Sequence, residues 1–259
     1  MKTRKLFFLT LFILALKIYS QNNEIYGVVT YVKSISAVSP KEKKFNLNFN
    51  KTHSFQEELT VEEDFNNRNK GASEKMKKIF NIGPNYEKKY FYYEKESDEF
   101  YFKTLIFSDY VVVKDELRFE WKLKNEFKEI LGFKCQKAIS RISFRGRKYE
   151  AWFTPEIPVT FGPWKVNGLP GLILEFADLD RLIYYKAFKI DLKNTALVNF
   201  ENIKEKILKE NPLTIAKYVE AEKNNRKEFF SRLESKLPKG MGKISSYDIT
   251  RVEIFENQE

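Results

Sequence analysis

The chain has one cysteine, Cys135, and one histidine, His53, in 259 residues. A lone cysteine excludes an internal disulfide, so stability has to come from an ordinary hydrophobic core. The same scarcity excludes zinc or copper held by the usual imidazole and thiolate sets. A serine triad would have to use His53, and its neighbour Ser54 has neither a nucleophile-elbow setting nor a visible orienting acid. Phosphate-binding loops, dinucleotide fingerprints, calcium loops and paired-histidine zinc motifs are all missing. No cofactor and no metal is therefore expected. Beyond the first twenty residues there is no apolar run long enough to span a bilayer, and no internal repeat.

The start of the chain is different in character. Lys2, Arg4 and Lys5 precede an apolar run from Leu6 to Leu16 broken only by Thr10, and Tyr19-Ser20-Gln21 follows as a polar exit. That order is the signal-peptide order. The run is shorter than the roughly 17–25 residues a spanning helix takes, and Lys17 ends it with a charge. Residues 1–20 are read as a cleaved export signal and 21–259 as a single domain, which places the working protein in the periplasm or on the periplasmic face of the outer membrane. Losing Lys2, Arg4, Lys5 and Lys17 lowers the formal charge from +10 to +6. A moderately basic exported protein meets anionic lipid, polysaccharide or acidic partners, and nucleic acid is not expected.

The organisation reads as sheet first and helix last. Glu24–Lys33 and the alternating Phe45, Leu47 and Phe49 suggest strands around a polar turn at Pro40–Lys44, and Gln56–Lys78 suggests a helix-plus-loop excursion. Aromatic strands follow at Lys88–Tyr93 and Phe100–Phe107, then Tyr110–Lys114 and Leu117–Leu123. Rings fall on both parities in the first two, so both faces need an apolar environment. Phe133–Phe144 and Lys148–Phe153 read as a hairpin whose Arg145-Gly146-Arg147 tip is solubilising. Leu182–Leu192 is a further strand, Phe200–Lys209 a short helix, Pro212–Leu237 a longer one capped by Asn211, and Thr250–Phe255 a closing strand. The fold class expected is α+β: a large, curved, mainly antiparallel sheet with helices packed on one face.

Four of the eight prolines and three of the ten glycines lie in Thr154–Gly171. Each proline fixes its own φ and extends its predecessor, while the glycines permit turns that a side chain would forbid. Pro170-Gly171 is read as a type II turn feeding a strand at Leu172–Phe176. Here Gly168-Leu169-Pro170-Gly171-Leu172-Ile173 spells the motif of the GLPGLI family of exported bacterial proteins, and Phe133–Ala138, Arg147–Pro158 and Gly162–Lys165 agree with it. The chain resembles that family strongly over Phe133–Asp178. The resemblance implies an envelope protein of Gram-negative type and brings no established activity.

Gly168, Pro170 and Gly171 are thus the structural motif, and Trp152, Trp164, Leu169, Pro170 and Glu175 the candidate contact surface for an amphiphilic ligand or an envelope protein partner. Aromatic anchors give contact area at low entropic cost, although both tryptophans could equally be core residues pinning the loop. Cys135 reads as a small buried apolar residue, and Asp178-Leu179-Asp180 as a turn rather than a cation pair. The alternative is a hydrolase using Glu156, Glu175 or Asp178. The expected reading is a binding protein with no catalytic residue.

Amino-terminal sequencing of the protein recovered from its native envelope should begin at Gln21, with no acyl mass. Material that still starts at Met1 would overturn the export signal as read.

Overall fold

The computed structural model describes residues 25–35, 39–59, 89–106, 109–141, 146–193 and 198–234. The expected export signal, most of the Gln56–Lys78 excursion and the closing strand Thr250–Phe255 lie outside the described residues. The strands in chain order are β1 (Gly27–Ile35), β2 (Ser39–Phe49), β3 (His53–Glu58), β4 (Tyr90–Glu94), β5 (Glu99–Ile106), β6 (Asp109–Asp115), β7 (Trp121–Ile130), β8 (Phe133–Ser140), β9 (Tyr149–Thr154), β10 (Leu172–Asp178) and β11 (Tyr184–Asp191). Helix α1 (Phe200–Lys209), the two-residue β12 (Leu213–Thr214) and helix α2 (Ile215–Glu234) follow.

All twelve strands form one sheet in the order β12-β6-β5-β4-β3-β2-β1-β11-β10-β9-β8-β7. It is mixed, because β12 runs parallel to β6 while the other pairs are antiparallel. The sheet must curl. β6 and β7 stand ten strand positions apart, about 48 Å in a flat sheet at the usual spacing. Only Glu116–Glu120 join them, and six Cα steps reach about 22 Å at most. The two ends of the sheet are therefore brought towards each other, and one face turns inward.

The α+β arrangement with helices on one face is not what the chain builds. Across β4 and β5, Tyr92 lies opposite Tyr101 while Phe91 and Tyr93 lie opposite Phe102 and Phe100, so the two sets occupy opposite faces. Phe200 and Ile207 of α1 pack on Tyr92, Tyr101 and Val112. Tyr218 of α2 packs on Phe100, Phe102 and Val113, on the other side. Each helix thus covers one face at one end of the sheet only.

The rest of the inner face is covered by the loop between β9 and β10. Ile157, Val159, Phe161, Trp164, Val166 and Leu169 are all buried in the main core with Tyr31, Leu47, Phe153 and Phe176. Along this strap Ile157, Val159 and Phe161 alternate inward as in a strand, and the chain then turns at Trp164-Lys165 so that Phe161 bridges Asn167. The strap supplies the layer that helices were expected to supply.

Several local expectations are corrected. Pro40–Lys44 lies within β2, Gln56–Glu58 within β3, and the strand expected at Leu117–Leu123 begins at Trp121. Helix α2 starts at Ile215 and not at Pro212: Asn211 takes φ 51°, Leu213-Thr214 pairs with β6, and the Thr214 hydroxyl accepts the Lys217 N–H. The type II turn at Pro170-Gly171 is a γ-turn centred on Pro170, since the Gly171 N–H donates to Leu169 O at 2.9 Å. Phe200–Lys209 forms as expected, with Asn199 accepting the Asn202 N–H at 2.9 Å as its cap.

Gly171 is required by close approach. A Cβ built there would lie 2.1 Å from the Thr154 carbonyl oxygen, with further backbone atoms at 2.6 and 2.9 Å. Gly171→Ala should lower the melting temperature, at a cost of about 1–3 kcal/mol by analogy with other overpacked sites. Gly132→Ala is the comparison, because nothing lies within 4 Å of a Cβ there although φ is +84°. Equal losses in the two variants would count against the crowding argument.

Candidate functional site

Trp164 is the centre of the strap. It is 6 % exposed and adopts φ 60°, a conformation that bulky residues hold only when their surroundings over-determine it. Its ring lies 6.0 Å from Tyr149 and 5.8 Å from Phe176, which stack on each other at 5.1 Å. Its N–H donates to Gln56 Oε1 on β3 at 2.6 Å. Sequence separation hid this contact, since Gln56 and Trp164 are 108 residues apart.

Lys165 ties the strap to β6 and β5. Its Nζ lies 2.8 Å from Asp115 Oδ2 with the two side chains 1 % and 0 % exposed, and 4.0 Å from the centre of the Phe102 ring. A lysine after a Gly-Pro-Trp turn gives no sequence sign of burial. Charges taken out of water are tolerated where a partner and further dipoles satisfy them. Here a carboxylate and an aromatic face meet the ammonium together.

The remaining candidate residues separate into two environments. Leu169 is 1 % exposed and belongs to the core. Pro170 and Gly168 are exposed, and Gly168 takes φ +87° beside the Trp121 indole, whose Nε1–H donates to Asn167 O at 2.8 Å. Trp152 is half-buried away from the strap. Lys128 Nζ sits 4.2 Å and Lys137 Nζ 5.6 Å from its ring centre. Glu175, opposite Trp152 in the β9–β10 register, pairs with Lys128 at 2.8 Å. The structure therefore places Trp152 and Glu175 in one outer-face cluster, and Trp164 and Leu169 inside.

The acids weighed for hydrolysis each hold something else. Glu156 Oε1 accepts the Lys134 N–H at 2.9 Å. Asp178 accepts the Ile183 N–H at 2.6 Å, and Arg147 Nη1 lies 3.2 Å from both Asp178 and Asp180. The guanidinium occupies the place a cation would take between those aspartates. Arg147 is only 8 % exposed, which corrects the solubilising reading for that residue, while Arg145 lies outside the described residues. Cys135 is fully buried, and burial pushes its thiol up to about 11, far from the range of a reactive thiolate. Among the described residues, no group of three or more His, Cys, Asp or Glu side chains is arranged to hold a metal ion.

His53 has a partner that sequence reasoning missed. Its Nε2 lies 3.2 Å from Glu94 and its Nδ1 2.8 Å from the Thr52 hydroxyl. Hydroxyl, imidazole and carboxylate are thus in line, as in a nucleophilic triad. An acyl-transfer site also needs N–H donors for an oxyanion, and both nearby backbone donors, Thr52 N and His53 N, already give to Asn50 Oδ1 at 2.9 and 2.6 Å. The imidazole stacks on Phe200 at 5.3 Å. Glu94 and Glu99 both pair with Lys204 of α1, and hydrogen bonds from Lys114 and Lys204 hold the Glu99 carboxyl down at about 2. This cluster docks α1 onto the sheet.

One small cavity of about 10 Å³ lies beneath the strap, lined by Gln56, Tyr93, Phe100, Phe161, Trp164 and Asn167 among others. That is room for about one water centre. The side-chain nitrogens Gln56 Nε2 and Asn167 Nδ2 are buried there without a hydrogen-bond partner. A ligand the size of a lipid or a peptide side chain does not fit inside.

Comparison with known proteins gives a partial family match and a fold match. A family model described as a protein of unknown function (Porph_ging) matches residues 143–175, a stretch containing the Gly168–Ile173 motif and compatible with the GLPGLI resemblance. A search of curated proteins finds no match. PNGF-II, solved in C2 and P21 crystal forms, is similar in structure with a TM-score of 0.51 and 16 % identity, and the match covers 78 % of this chain. It covers 33 % and 34 % of the two PNGF-II chains, so the chain spans about a third of PNGF-II. At that identity the likeness is one of fold.

The Lys165–Asp115 pair is testable by a mutant cycle. Lys165→Met alone should cost about 3–5 kcal/mol, because it strands a buried carboxylate. Lys165→Met with Asp115→Leu should recover much of that loss in chemical denaturation. A double variant no more stable than the single would show that the pair is not the strap's main tie.

Proposed function

We propose that the protein is an exported, non-enzymatic binding protein of the cell envelope, which engages an amphiphilic ligand or an envelope protein partner through its outer surface. The observation that carries this reading is that, among the described residues, the strap fills the inner face of the sheet. Curled sheets that hold ligands need a chamber, and here the strap takes that space. The rings that suggested a vacant aromatic face support each other, α1, α2 and the strap.

The carboxylates of the hydrolase alternative are engaged by Arg147, Lys128 and backbone N–H groups. General acid–base work asks for a group free to exchange a proton with a bound substrate. Engagement of each acid in holding the fold favours binding over turnover. The absence, among the described residues, of any helix long and apolar enough to cross a membrane is compatible with a mature chain without a helical membrane anchor.

The purified mature protein should show no turnover of glycoside, ester or peptide substrates. Glu175→Gln should change binding of whatever co-purifies from the envelope without changing any rate. Sustained turnover that disappears in Glu175→Gln with the fold intact would replace this reading by the hydrolase one.

A further inference from the structure

On the outer face of β2, β1 and β11 the register aligns Lys44, Val32 and Lys186 in one cross-strand row. Asn46, Thr30 and Lys189 form the next row on the same face. Thr30 and Asn46 bond each other at 2.8 Å, while Val29 and Tyr31 on either side of Thr30 are fully buried on the inner face. Between the two rows the pairing shifts: Thr30 meets Lys189 and Tyr31 meets Ala187, which leaves Phe188 as an extra residue. A bulge of this kind re-aims its side chain. Phe188 is 61 % exposed, more than any other large hydrophobic among the described residues.

Phe188 also has lysines beside it. Lys44 Nζ lies 5.1 Å from its ring centre, and Lys186 and Lys189 are exposed on the same strand. The carboxylates of this face are Glu57, opposite Asn46, Glu175, opposite Lys186, and Asp191; Glu175 pairs with Lys128 and Asp191 accepts the Lys193 N–H. A single protruding ring within a cationic border suits an anionic lipid surface: the ring enters the acyl boundary while the ammonium groups meet phosphates. A folded protein partner would need a pocket shaped for one isolated phenylalanine on a convex face, whereas a bilayer asks for no such complement. The charge of the chain, 46 basic against 36 acidic residues, has the matching sign.

We infer that the Phe188 bulge with Lys44, Lys186 and Lys189 is a peripheral docking point for anionic lipid headgroups. This rests on the binding reading above and names the partner as a membrane surface. Docking is reversible, since one ring and three lysines fall well short of a stable anchor.

The test is co-sedimentation of the mature protein with vesicles of phosphatidylethanolamine and phosphatidylglycerol in a two-to-one ratio, against vesicles of phosphatidylcholine alone. Binding should occur to the first and not the second, and should be lost at about 0.5 M NaCl, where screening is nearly complete. Phe188→Ser should weaken vesicle binding about tenfold or more, the scale expected for removing one buried phenyl group. The double variant Lys186→Glu with Lys189→Glu should abolish it, and remains informative if Phe188→Ser fails to fold. In Phe188→Trp, brominated lipid should quench the added fluorescence. Equal binding to both vesicles, no binding to either, or variants that bind like the parent would overturn the inference, as would an acidic protein bound in place of vesicles. None of those results bears on turnover, so Glu175-dependent catalysis remains the separate test of the broader reading.

Discussion

The buried contact between Lys165 and Asp115 couples two features that would otherwise be independent. Asp115 is the last residue of β6 and the starting point of the short connection to β7 at the far end of the sheet. Lys165 sits in the strap that fills the curled interior. Their pairing fixes the strap at the place where the two ends of the sheet approach. Phe102 under the ammonium and Gln56 on the Trp164 N–H hold the same turn from β5 and β3. Curl, strap and strand order are consequences of one another: a flatter sheet would expose the strap, and a strap of different path would take the ammonium away from the buried carboxylate of Asp115.

That dependence explains why so many polar groups near the motif are engaged in holding the fold. A loop used as a layer of the core has backbone groups that must find partners inside the protein. Ile157 O receives the N–H of both Val159 and Leu172, and Phe161 O receives that of Ile173. Asp178 and Arg147 close the turn after β10 in the same way. Convergent polar groups around a rigid loop are the usual mark of a binding cleft. In this chain their convergence serves the strap.

Much of the strand pattern was legible because alternation is local. The hairpin of β8 and β9, the helix at Phe200–Lys209 and the double-sided aromatic strands all follow from short-range periodicity, and all are present. What covered those rings could not be read the same way. Proline and glycine density in Thr154–Gly171 announced a rigid path, yet the burial of Lys165 depends on an aspartate 50 residues away. Pro40–Lys44 looked like a turn because it is rich in charge, but Ser39, Lys43 and Lys44 pair with β1 across a register shift, and the strand carries Lys44 facing solvent. Trp152 and Trp164 looked equivalent in sequence. The structure separates them completely, one beneath two lysines on the outer face and the other within the core.

The four irregularities in strand pairing, between β1 and β2, β1 and β11, β9 and β10, and β7 and β8, acquire a common sense from the curl. A sheet that bends this far needs extra residues on its strands, since bulges increase local twist and relieve the mismatch between inner and outer arcs. Each extra residue has to point somewhere. Leu174, left over between Ile173 and Glu175, is fully buried in the core. Phe188, left over between Ala187 and Lys189, goes outward into solvent. Curvature alone accounts for the bulge but does not require an aromatic ring at the outward position, where a polar residue would serve the geometry at no hydrophobic cost. The choice of phenylalanine beside lysines is the part that sheet mechanics leaves unexplained, and it is the part on which the proposed docking at the outer surface depends.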